Sequence, residues 1–137
     1  MTIHVSHFPV HAVDVDAAVA FYRDALGLEV VNDVPYGEFS WVTLASPGSS
    51  VGQLVISQPH AGRSEQEGDQ LASLLALGVF GPIVFDTDDV DAAFERARAT
   101  GLGEVLQEPK AMGYGVRDCA FRDPAGNMVR IGQKVSG

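Results

Sequence analysis

Two stretches of the chain carry apolar residues at helical spacing. Val15, Ala18, Val19, Tyr22 and Leu26 fall at i, i+3, i+4, i+7 and i+11, and Val90, Ala93, Phe94 and Ala97 repeat the stripe. Each predicts an amphipathic helix whose apolar face must be covered. Asp14 and Asp89 stand just ahead, where a carboxylate accepts hydrogen bonds from the free N–H groups of a first helical turn. Gly27 and Gly101 stand where a left-handed residue ends a helix. Residues 14–18 and 89–93 are identical in sequence and lie 75 positions apart. Caps, stripe and stop signal recur together, so the chain reads as two copies of one structural unit.

Strand patterns complete each copy. Residues 3–13 predict a strand before the first helix, and 28–33, 39–44 and 53–57 predict three after it. Pro35-Tyr36-Gly37 and residues 46–50 read as turns. In the second copy, strands are predicted over 79–86, 104–108, 114–122 and 128–133. Pro109 closes one of them, and Asp123-Pro124-Ala125-Gly126-Asn127 makes the last turn. Both units therefore read strand–helix–strand–strand–strand, over 3–57 and 79–133. Residues 58–78 break the pattern with polar and small side chains and only a short helical run at Leu71, Leu74 and Leu75. They predict a surface linker, polar enough to serve as a lid.

Composition narrows the class. A chain of 137 residues that is 46% hydrophobic and 20% charged forms one domain with a real core and is not disordered. A net charge of −9 removes the basic face that nucleic acid or an anionic membrane requires, and tolerates a cationic ligand. Cys119 is the only cysteine, so no internal disulfide is expected and the cytoplasm is the expected compartment. The first ten residues lack the basic and apolar regions of a signal peptide, and the longest nearly apolar run, over 71–80, is too short to cross a bilayer. Phosphate-loop, dinucleotide, zinc-protease and serine-hydrolase motifs do not occur.

The segments DVDAAVAFYRDALGLEV, DDVDAAFERARATG and AFRDPAGNMVRI, in that order and spacing, resemble the vicinal oxygen chelate superfamily, which includes glyoxalase I, bleomycin-resistance proteins and extradiol dioxygenases. With the strands around them they cover most of residues 5–133, leaving 58–78 unmatched. The resemblance implies an α+β fold: two βαβββ modules within a single domain 1–137, each a curved mixed sheet with its helix on the convex side. The concave faces would form a cleft for a small organic molecule. It also implies a homodimer, since many relatives are dimers and some build the cleft between chains.

Metal-dependent relatives hold a divalent ion at four positions, carried over here one at a time. The first, seven residues before the helix-opening Asp14, is His7. The second, on the fourth strand, falls on Gln53. The third, seven residues before Asp89, is Pro82, which has no donor atom. The fourth, seven residues after Asp123, is Arg130, a guanidinium that stays protonated and only donates hydrogen bonds. Only His7 and Gln53 remain as metal candidates, too few for a stable site. The resemblance thus points to a binding protein without a metal cofactor. The alternative is a metal-dependent lyase, isomerase or dioxygenase with a different ligand set, such as His7, His11 and Gln53. Arg130 is expected to project into the cleft near His7, as a donor fork for a carboxylate or a pair of oxygens. By strand alternation His7, Pro9 and His11 share one face. Trp41 and Tyr114 are candidate aromatic walls and Arg117 a further donor. The competing reading places Trp41 beneath a helix. Phe21, Phe94 and Cys119 read as core.

Overall fold

Asp14 Oδ1 accepts the N–H of Ala17 and Asp89 Oδ1 that of Ala92, each at 3.0 Å. These caps start α1 (Val15–Ala20) and α3 (Val90–Thr100) at equivalent points of the repeat. The computed structural model describes residues 1–135. α1 widens into a π-helical turn (Phe21–Ala25), which holds Phe21 and Tyr22 fully buried side by side. α3 stays α-helical and stops at Gly101, whose φ of 66° only glycine adopts freely.

The first module contains β1 (His7–His11), β2 (Glu29–Tyr36), β3 (Phe39–Ala45) and β4 (Gln53–Ser57), in the sheet order β1-β4-β3-β2. The second contains β5 (Ile83–Asp86), β6 (Glu104–Ala111), β7 (Val116–Arg122) and β8 (Met128–Lys134), in the order β5-β8-β7-β6. β1 runs parallel to β4 and β5 to β8, while the other pairs are antiparallel. This is the expected α+β fold of two mixed sheets.

Alternation along the strands sends one face of each sheet to the helices. Val10, Leu44 and Ile56 from the first sheet and Cys119, Phe121 and Ile131 from the second are buried in one continuous core with both helices. The rings of Phe21 and Phe121 lie 6.4 Å apart, and those of Phe94 and Phe121 5.5 Å. The modules are thus joined through their helix-bearing sides, leaving each sheet an opposite, helix-free face. A buried polar joint reinforces the contact. Tyr22 Oη donates to Asp123 Oδ2 at 2.6 Å, and Asn127 Nδ2 donates to Asp123 Oδ2 and to the His11 carbonyl, each at 3.0 Å. Burial, and then the Asp123 charge, raise the Tyr22 hydroxyl well above its ordinary pKa.

Several boundaries differ from the sequence reading. β1 starts at His7, not at residue 3, because its partner β4 begins opposite at Gln53. β5 starts at Ile83 and β7 at Val116, both later than expected. β2 continues through Pro35, and β6 through Pro109. Both are edge strands, where a missing N–H costs no ladder bond, and β6 is irregular between Gln107 and Lys110. The linker holds more than a short run. α2 (Glu65–Ala76) begins with a capping box: Ser64 Oγ accepts the Glu67 N–H, and Glu67 Oε1 accepts the Ser64 N–H. Leu75 buries this helix against the protein.

Candidate functional site

The helix-free face of the first sheet is built from alternate residues of three strands. His7 on β1 is in register with Gln53 on β4, Pro9 with Val55, and His11 with Ser57. Trp41 and Thr43 join them from β3, since their neighbours Val42 and Leu44 point into the core. Trp41 therefore does not lie beneath a helix. It is 37% exposed, with the His7 ring edge-on at 6.5 Å and the Tyr36 ring at 6.3 Å. These three rings form an aromatic wall.

The corresponding face of the second sheet is polar. Arg130 lies on β8 between Val84 and Ala120. Its Nε donates to Asp118 Oδ2 at 2.8 Å and its Nη2 to Gln107 Oε1 at 3.0 Å. Gln107 Nε2 closes the ring by donating to Asp118 Oδ1 at 2.9 Å. Asp118 is buried, and the hydrogen bond from Arg130 holds its carboxyl below the usual range; the same bond raises Arg130. Arg130 Nη1 has no hydrogen-bond partner among the described residues, and the side chain is 21% exposed. Tyr114, in the turn between β6 and β7, is exposed and near enough to act electrostatically on Arg130.

Three expectations need correction or completion. Arg117 is not a donor on this face. Its Nε and Nη2 hold Asp91 of α3 at 3.0 and 2.7 Å, on the helix-bearing side with Cys119 and Phe121. The alternation from those two core residues already carried that signal. No hydrogen bond or ion pair joins Arg130 to His7 among the described residues; its cation is matched instead by Asp118, which sequence reasoning missed. His11 is turned partly inward. Its Nδ1 is buried without a partner, and its Nε2 lies 3.5 Å from Arg63 Nη2. Burial, then the Arg63 charge, lower its pKa from the ordinary imidazole value and favour the neutral ring. Cys119 is fully buried, and burial followed by the Asp118 charge pushes its thiol up to about 11.

The strand registers also test the four metal positions. Arg130 pairs with Val84, two residues beyond Pro82. The matching residue of the first sheet pairs with Pro9, two residues beyond His7, and is Val55 rather than Gln53. The equivalent positions then hold His7, Val55, Pro82 and Arg130, of which only His7 can ligate. Among the described residues no group of three or more His, Cys, Asp or Glu side chains is placed to hold a metal. The donor set does not fit the divalent ion common in this fold.

Paired βαβββ modules, each with a helix-free sheet face, define the class. The chain belongs to the glyoxalase/bleomycin resistance protein/dioxygenase superfamily, whose family model matches residues 4–131. It is similar to UcmS2, with 30% identity and a TM-score of 0.85 over 96% of this chain and 98% of the other. TnmS3, an antibiotic binding protein from Streptomyces sp. CB03234, has 28% identity and a TM-score of 0.74, with 98% of each chain covered. The probable lactoylglutathione lyase of Synechocystis sp. is 29% identical over 133 residues, 95% of each chain. Among the described residues no helix is long and apolar enough to cross a membrane.

Proposed function

We propose that this chain binds a small organic molecule on its helix-free sheet faces, in the manner of the antibiotic-binding members of the superfamily and without their relatives' metal. The observation that carries the reading is the Arg130–Asp118–Gln107 ring at the position of the fourth metal ligand. An arginine already locked to a buried carboxylate neither ligates nor yields its place to a cation. What it offers is the free Nη1, two N–H donors for a ligand oxygen. The aromatic wall of Tyr36, Trp41 and His7 on the first sheet offers a surface for a planar ring.

The site is completed by a second copy of the chain. All eight residues of β2 are exposed, Val30, Val31, Val34 and Tyr36 among them. A strand with both faces bare calls for a partner. In a homodimer the aromatic face of one chain would close on the Arg130 face of the other.

Trp41 is the only tryptophan, so its fluorescence reports occupancy directly. Titration with a panel of planar aromatic antibiotics should quench it saturably, and calorimetry on Trp41→Ala should show the binding lost. Elemental analysis of protein purified without chelator or histidine tag should find no stoichiometric transition metal. Near-stoichiometric zinc, nickel, iron or manganese, together with isomerisation of a hemithioacetal, would establish a lyase instead.

A further inference from the structure

The internal repeat reveals a crevice that the helix-free faces do not include. The 75-residue offset maps Phe21 onto Arg96 and Leu28 onto Gly103. The parallel strand registers follow the same offset, since Pro9 pairs with Val55 as Val84 pairs with Arg130. Phe21, on the first helix, is fully buried, and its ring lies so close over Gly103 of the second module that a Cβ there has no room. Phe21 thereby plugs one of two equivalent crevices between the modules.

The other crevice has no plug. Arg96 takes Phe21's place, and its guanidinium lies across Gly27, with Nη1 2.9 Å from where a Cβ would stand. A cavity of about 380 Å³ remains, with Leu26, Leu28, Phe85, Ala93 and Ile131 in its lining and Arg96 beside them. That volume lies in the range of small-molecule sites. Arg23, Arg98, Arg117, Arg122 and Arg130 all have carboxylate partners and Arg63 donates to backbone carbonyls, whereas Arg96 has no hydrogen bond or ion pair among the described residues, although its charge reaches Asp24. Asp86 and Asp89 also line the cavity, near the start of α3. Asp89 lies seven residues before Arg96, roughly 10 Å along the helix axis. One carboxylate oxygen of Asp89 is already committed to the helix cap.

We propose that this crevice is a second ligand site and that it takes a small aromatic carboxylate. The ring occupies the kind of space that Phe21 fills on the related side, where the protein itself uses a phenyl group. The carboxylate meets the unpaired Arg96 fork in two parallel hydrogen bonds. The acidic end of the crevice repels a second anion and so fixes which way round the ligand lies.

Titration of the full chain with benzoate, followed through the backbone amides of Ser46, Ala92 and Ala93, tests the assignment. Benzoate should shift these amides saturably. Arg96→Ala should weaken it about tenfold or more. Arg96→Phe, which restores the plug, should abolish it without lowering the thermal midpoint. Trp41→Ala should leave it unchanged, which separates this site from the one proposed above. Absence of saturable shifts, undiminished binding by Arg96→Ala, or preference for benzylamine over benzoate would overturn the proposal.

Discussion

Asp118 is a carboxylate buried on a sheet face, and its charge is tolerable there only because Arg130 and Gln107 satisfy its oxygens. Removing the cation while keeping the stem, as in Arg130→Met, should destabilise the fold by about 3 kcal/mol at pH 7, since it strands a buried charge. Urea denaturation would measure it. The pH dependence has a definite sign. Asp118 has a depressed pKa in the folded protein, so the pair's contribution is complete above the ordinary aspartate range and disappears as pH falls through the depressed value. The gap between wild type and Arg130→Met should therefore be constant near neutrality and close in acid. Half of this arrangement was legible in the sequence. Seven residues after Asp123 an arginine stands where a ligand was due, and no metal chemistry suits it. Its partner was not legible, because Asp118 and Gln107 become neighbours only through the β6–β7–β8 register, which carries irregularities that no count of residues supplies.

At the level of elements, caps and joints behave differently. Ser64→Ala should remove one half of the α2 capping box and cost that helix about 1 kcal/mol. Amide exchange over 65–76 should quicken while the global midpoint hardly moves, because α2 buries little besides Gly68 and Leu75. Tyr22→Phe acts on the joint between modules. It leaves Asp123 without its phenolic donor in a buried place, and should lower global stability by about 1–2 kcal/mol in urea. The helices around these sites were legible to different degrees. α1 and α3 announce themselves by stripe, aspartate cap and glycine stop. α2 carried its Ser64–Glu67 box in plain view, but its apolar stripe is short and its first turn all polar. The π-helical turn had no signal, because the residues that make it also fit an ordinary helical repeat.

For the whole molecule, light scattering at micromolar concentration should give twice the chain mass. Val34→Lys, on the bare β2 strand, should shift it toward monomer and weaken binding on the helix-free face together. The repeat itself was readable from five identical residues 75 positions apart, whereas the way two modules share one core through Phe21, Phe94 and Phe121 needed the fold. That shared core also sets a clock. Cys119 is the chain's single thiol, and with its pKa pushed up to about 11 and no exposed surface it is both protonated and out of reach. A disulfide reagent added to the native protein can react only in the moments when the second sheet parts from its helix. The slow rise of a coloured leaving group in a cuvette would then count those moments, giving the lifetime of the closed state without denaturant, label or ligand.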